Sequence, residues 1–244
     1  MFRFMLFLGA IALMSGLPLP AQAQDISISL GDDSSLAARS IQLIILITVL
    51  SLVPGIAIMV TCFPFIVTVL AILRQAIGLQ QSPPNMLIVS LALFLTYFVM
   101  EPVFTEAWGL GIEPLLSEEL DMEAAFENAM GPFRIFMVGR IDLETFETLA
   151  LLRPEGTSTS AAVDSPLSIL VPSFLLSEIE RAFQIGFLIF MPFLIIDLVV
   201  AAVLMSMGMM MVPPAIVSLP FKLAFFVVAD GWSLIAGSLV RSYF

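Results

Sequence analysis

The sequence predicts an all-α, membrane-associated protein built from long helical hairpins broken by prolines. Three observations predict it. Of 244 residues, 60% are hydrophobic and 12% charged, and the mean hydropathy is +1.09, which is the composition of a chain that sits in lipid or in a membrane assembly. The apolar residues lie in blocks longer than a soluble core helix needs. Prolines and Pro-Pro pairs recur in and between those blocks, where freed backbone groups must be satisfied by neighbouring protein.

The N-terminus has the plan of a secretory signal. Arg3 supplies the positive end, Phe4 to Leu17 the apolar stretch, and Ala21-Gln22-Ala23 a small-x-small cleavage site. Residues 1–23 are therefore expected to be removed after Ala23. An uncleaved anchor is the alternative, disfavoured because the apolar part is short for a span. Residues 24–40 are polar and expected on the outer face of the membrane.

Residues 41–104 form the first apolar hairpin. Ile41 to Leu73 carries no charge and as one helix would run roughly 50 Å, against about 30 Å of hydrocarbon. Pro54 and Pro64 lie inside it and should kink or break it. The polar turn Arg74 to Asn85 carries the pair Pro83-Pro84, and Met86 to Phe104 makes the second arm.

Residues 105–181 change composition. They hold fourteen acids against four arginines, a net charge of −10. This reads as a small solvated helical segment. Glu118 to Met130 and Asp142 to Leu152 are expected amphipathic helices, the second with Asp142 as N-cap and Leu143, Phe146, Leu149 and Leu152 at helical spacing. Gly156 to Ser165 reads as a connector.

Residues 182–244 form the second hairpin, with arms Ile185 to Met211 and Ala215 to Val240 around the pair Pro213-Pro214. Long arm, Pro-Pro turn and second arm thus occur twice. With the mature N-terminus outside, four crossings place Arg74 and Lys222 near the inner face. The acidic segment and the C-terminus then lie outside, in the sense of the positive-inside rule. Hairpins buried mainly in neighbouring subunits are the other possibility that the lengths and prolines leave open.

Few residues here can carry chemistry. Histidine is absent, which removes His-based nucleophile pairs and the usual zinc sets, so neither an enzyme nor a cofactor site is expected. The single cysteine, Cys62, lies in an apolar stretch and reads as a small buried hydrophobe. A net charge of −11 argues against nucleic acid.

Asp197 and Lys222 lie one in each arm of the second hairpin. A lone charge there costs several kcal/mol, so a structural pair is expected, with proton or ion coupling through Asp197 as the functional alternative. Asp230, in ADGW, is expected to cap or pair near a helix end or to hydrogen-bond within a turn, and Glu101 to sit at the outer boundary of its arm, with a plain interfacial charge as the alternative for both. Met205, Met207, Met209, Met210 and Met211 crowd the turn. They fit a deformable seal, an apolar helix end in lipid, or thioether binding of Cu(I). Gly186, Gly208, Gly231 and Gly237 would permit close helix contact or bends.

Three stretches then carry a resemblance: LRQAIGLQQSPPN (Leu73 to Asn85), LALFLTYFVMEPVF (Leu91 to Phe104), and nearly all of Ser177 to Phe244, above all AFQIGFLIFMPFLIIDLVVAAVLMSMGMMMVPP and LPFKLAFFVVADGW. The chain resembles the FliP family, the flagellar members of the type III secretion export-gate proteins. The match covers most of the mature chain and is weakest from Thr105 to Pro172.

The resemblance implies a non-enzymatic pore subunit. Five copies would assemble with FliQ and FliR into a helical, closed cone near FlhB and FlhA, in the bacterial inner membrane at the flagellar basal body and partly facing the periplasm. Unfolded rod, hook and filament subunits would pass through it, driven by the proton motive force and an ATPase acting through other subunits. The family's Met-rich gasket maps onto Met209, Met210 and Met211. The hairpins would then pack into a complex raised above the bilayer, which accounts for the over-long arms.

Two departures bear on subunit contacts. Pro64-Phe65 replaces a basic residue, and Ser177-Glu178-Ile179-Glu180 replaces Ser-Glu-Leu-Lys. The signal and the long outer segment favour the flagellar branch over injectisome relatives. The competing function is a secondary transporter for a small solute with an Asp197/Lys222 midplane site.

Overall fold

The structure, a computed structural model, describes residues 36–79, 83–152, 163–209 and 211–244. The expected signal sequence with Ala21 and Ala23, most of the connector, and Met210 lie outside the described residues. Among those described, every regular element is helical. The helices are α1 (Leu36–Met59), α2 (Phe63–Ile77), α3 (Asn85–Ala107), a π-helical turn (Trp108–Ile112), α4 (Glu113–Leu116), α5 (Met122–Val138), α6 (Leu143–Leu151), α7 (Leu167–Ser206), α8 (Pro214–Val228) and α9 (Gly231–Arg241).

The long uncharged block at 41–73 divides into α1 and α2 around residues 60–62. Pro64 falls in the first turn of α2, where its missing N–H has no helical partner to lose. Pro54 lies within α1. Gly78, at φ 89°, closes α2 in the left-handed region with its N–H on the Gln75 carbonyl, a conformation that glycine adopts without steric cost.

Helix α2 is the centre of the core. Phe65, Ile66, Val69, Leu70, Leu73, Ala76 and Ile77 are buried at helical spacing. They pack chiefly with α7 and α3, joined by Ala92, Val99, Met100, Ala182, Phe193, Phe226 and Leu239. Gly186 sets the approach of α7. A Cβ there would lie 2.4 Å from Ile72 Cδ1 and 3.3 Å from Ile72 Cβ, so a larger residue would require the Ile72 side chain to shift.

A smaller cluster joins the acidic segment to the start of α7. Val60, Met137, Phe146, Ala150, Ile169, Leu170 and Phe174 are its buried members. Helix α5 starts and ends four or more residues later than the expected Glu118–Met130. Glu118 has φ 57° and sits in a turn, Asp121 Oδ1 accepts the N–H of Ala124 at 3.2 Å as N-cap, and Phe133, Phe136 and Met137 extend the buried face past Gly131-Pro132. In α6, Asp142 caps as expected, Oδ2 accepting the N–H of Thr145 at 2.9 Å. Its leucine stripe is not buried throughout: Phe146 and Ala150 face the core, whereas Leu143 and Leu152 are exposed.

The apolar arms are longer than the composition suggested. Helix α3 and the turns after it carry the helical path to Leu116, through Pro102. Helix α7 spans 40 residues, through Pro172 and Pro192, without interruption at residues 181 and 182 where the composition changes. Among the described residues, three helical stretches are long and apolar enough to cross a membrane, Ser40–Met59, Asn85–Leu116 and Leu167–Ser206. A fourth arises if α8 and α9, bent by 61°, are taken together. In the most apolar window of the 40-residue helix only 11% of residues are buried, so lipid or other chains must cover the rest.

Two predictions follow from this packing. Cys62 is fully buried, its thiol directed at the Thr96 carbonyl, so a maleimide should label it in denaturant and not in the folded protein at pH 7 to 8. Rapid labelling of the folded form would contradict the packing of α2. The hydrogen bond from the Thr145 N–H holds the Asp142 carboxyl below the usual carboxylate range. Its capping contribution is present at neutral pH and lost as pH falls through that lowered value. Amides of residues 143–151 should therefore exchange faster, by intrinsic-rate-corrected hydrogen exchange, at pH 3 than at pH 7.

Candidate functional site

The turn between α7 and α8 is built by backbone rules. Gly208, at φ 73°, ends α7. Its N–H reaches the Met205 carbonyl at 3.1 Å, and the N–H of Met209 reaches Leu204 at 3.0 Å. This pair of bonds is the Schellman motif. On the far side Pro213 caps α8 and Pro214 is its first residue, where φ is already helical. The side chains between are left outward: Met205, Met207, Met209 and Met211 are all exposed, Met211 at 97%. Beside them an apolar groove of about 560 Å³ runs between α7 and α8, with Val203, Leu204, Met207 and Met209 at one end. The corresponding turn of the first hairpin is tied by Arg74, which donates to the Asn85 side chain, and Pro84 caps α3.

Asp197 on α7 and Lys222 on α8 meet. Lys222 Nζ lies 2.6 Å from Asp197 Oδ2 and donates to the Ala76 carbonyl at 3.1 Å. Ser218, one turn before Lys222, donates to Asp197 Oδ1 at 2.6 Å. Lys222 is 5% exposed, whereas the Asp197 side chain keeps 31% of its surface. Each charged partner thus has a neutralising group, and both carboxylate oxygens are occupied. The ammonium also serves the last turn of α2, whose carbonyls lack helical partners and carry the negative end of the dipole. Both arms of the second hairpin are thereby fixed to the end of the first.

A second buried charge was not legible as such in the sequence. Glu178 on α7 is fully buried and lies 3.0 Å from Arg140 Nε and 3.4 Å from Arg181 Nη1. Tyr243, just beyond α9, donates its hydroxyl to the same carboxylate. Arg140 also donates to the Ser242 carbonyl at 2.9 Å and lies 4.1 Å over the Tyr243 ring. Burial and the Glu178 carboxylate push the Tyr243 phenol above its ordinary range, which keeps it a donor. The signal available was a pair of acids followed by an arginine, Glu178, Glu180 and Arg181 in LLSEIER, which does not say which acid is buried. Arg181 is a neighbour at i+3, but Arg140 and Tyr243 lie 38 and 65 residues away, and no local pattern names them. Ser177 beside it donates to no acid; its hydroxyl accepts the N–H of Asp142 at 2.9 Å and joins α6 to α7. Among the described residues no group of three or more His, Cys, Asp or Glu side chains is placed to hold a metal ion.

Comparison with known proteins gives a consistent family. The model of the FliP family matches residues 46–239. The flagellar biosynthetic protein FliP of Caulobacter vibrioides is 53% identical over 228 residues, covering 93% of this chain and 85% of that protein. That of Agrobacterium fabrum is 47% identical over 243 residues, covering 97% and 98%. The Bacillus subtilis protein of the same name is 45% identical over 222 residues, covering 89% and 98%. The match takes in both hairpins and the acidic segment between them, and the chain belongs to the FliP family.

Proposed function

We propose that this protein is the core pore-forming subunit of the flagellar type III protein export gate, giving unfolded flagellar subunits a gated passage across the bacterial inner membrane. The relatives' shared name, flagellar biosynthetic protein, supports a place in the flagellar export apparatus. The observation that carries the finer reading is the Met turn. Its backbone is held by the Schellman bonds on one side and the Pro-Pro cap on the other, while flexible thioether side chains stand free. A ring of such turns, one from each copy, would close around an empty passage and yield to a polypeptide of any sequence.

The remaining apolar surface supports assembly. Exposed faces of α3 and α7, including Phe94, Tyr97, Phe187, Leu188, Leu194 and Leu198, suit packing against further copies, for which five is our expectation, and against FliQ and FliR, with FlhB and FlhA nearby. Residues 105–181 would face the periplasm. The Asp197–Lys222 pair is a structural fastening in this reading. A solute transporter with a midplane site has less support, because the lysine is already engaged by Asp197 and the Ala76 carbonyl.

Replacing Met209, Met210 and Met211 together by Ala should raise ion conductance of cells or liposomes at least several-fold while the oligomer still forms. Unchanged conductance would remove the seal. Asp197→Ala should lower the yield of assembled complex about tenfold, by native gel or native mass spectrometry, because it strands the buried Lys222. Normal assembly with lost proton-driven export would instead make Asp197 a coupling residue.

A further inference from the structure

The last arm of the chain carries two features that neither the seal nor the ion pair uses. The first is a strained break. Helices α8 and α9 meet at 61° across Ala229 and Asp230. Asp230 sits at φ 48°, ψ 48°, in the left-handed region, and its side chain makes no capping hydrogen bond. Non-glycine residues persist there only where the surroundings hold them. Gly231 follows with no room to spare. A Cβ on it would lie 2.2 to 2.7 Å from atoms of the Phe226 ring, so a side chain here fits the bent form only if that buried ring moves.

The second feature is the fastening of the far end. Beyond α9, Tyr243 is gripped by Glu178 and stacked under Arg140, and Ser242 accepts from Arg140. Tyr243 also stacks on Phe136 at 5.9 Å and meets Phe65 edge-on at 5.6 Å. One short turn therefore touches α2, α5, α7 and the loop after α5. A strained bend at one end of a helix and a polar clasp at the other is the arrangement of a held flap.

Length gives the bend a consequence. Helix α8 has 15 residues and α9 has 11, about 22 and 16 Å, each short of the roughly 30 Å of a hydrocarbon core. Straightened into one helix, Pro214 to Arg241 would reach about 42 Å, enough to span.

We infer that the α8–α9 arm has two forms, a bent form held by the Tyr243–Glu178–Arg140 clasp and a straight form able to cross a membrane. The clasp selects between them. In the bent form Ile235 and Leu239 are buried, at 8% and 2% exposure; in the straight form they leave the core. This inference does not depend on the export reading.

Thiol accessibility in the full chain, purified in mild detergent, tests it. In a Cys62→Ser background, Leu239→Cys places a reporter on the buried face of α9, and maleimide labelling should be slow. Adding Tyr243→Ala, which removes the clasp, should speed labelling at least tenfold. Adding Gly231→Ala instead, which leaves the clasp but obstructs the bend, should speed it as well. Native Cys62 in the single Tyr243→Ala and Gly231→Ala proteins should still label more slowly than in denaturant, since Ala92, Val99, Met100 and Ala182 of α3 and α7 stay packed in its cluster when the flap leaves. Fast labelling at position 239 in the Cys62→Ser, Leu239→Cys parent with clasp and bend both unaltered, unchanged labelling in both variants, or labelling of Cys62 as fast as in denaturant would each overturn the inference.

Discussion

A short helix buried on most sides must find partners for its end groups without water, and that constraint governs this chain. Helix α2 supplies the centre of the core, and its last turn leaves carbonyls that no helical N–H reaches. The solution is a lysine from the far end of the sequence. Lys222 brings a positive charge to the Ala76 carbonyl, which satisfies the acceptor and suits the helix dipole. The charge must then be balanced, and Asp197 with Ser218 does so. The one ammonium group thereby ties α7 and α8 to the end of α2. At the opposite end of α2, the Arg140 guanidinium lies 5.8 Å from the centre of the Phe65 ring. The same helix is thus bracketed by two cations, each anchored by its own buried or half-buried acid.

The limits of sequence reasoning follow from the range of each interaction. Local chemistry was legible. The cap at Asp142, the turn prolines at Pro84, Pro213 and Pro214, and a glycine in the turn that ends α7 act within a few residues, so composition and spacing carry them. The Asp197–Lys222 pairing was also legible, because two opposite charges in adjacent apolar arms have few other places to go. Helix ends were less so. The start of α5 depends on the left-handed turn at Glu118, and its end on which aromatic residues find the core. The Glu178 cluster could not be read from spacing at all. Glu178 is one of fourteen acids between residues 105 and 181, and nothing near it in sequence marks it as the one that is buried. The Met turn is an intermediate case. Its crowding is visible in the sequence, whereas the outward exposure of its side chains comes from the backbone bonds that hold Gly208 and Met209.

The two charge clusters also differ in kind. Lys222 and Asp197 lie on adjacent antiparallel arms and fasten elements that are already neighbours. Glu178 collects groups from the loop after α5, from α7 and from beyond α9. It therefore holds the acidic segment and the second hairpin in one body. A carboxylate without surface exposure is stable only because two guanidinium groups and a phenol surround it. Removing any one of them leaves the others with too little compensation, which makes the junction cooperative rather than additive.

The hydrogen bond from Lys222 to Ala76 spans 146 positions of sequence, and this imposes an order on synthesis. At about 5 to 20 residues per second, Ala76 is made roughly 7 to 30 seconds before its partner. Through that interval the first hairpin is an unfinished object with an open carbonyl end, and Asp197, once made, waits as an unpaired acid for the last arm. Biogenesis of this chain therefore cannot complete hairpin by hairpin. The contacts that close both halves together form only once the final helices have been made.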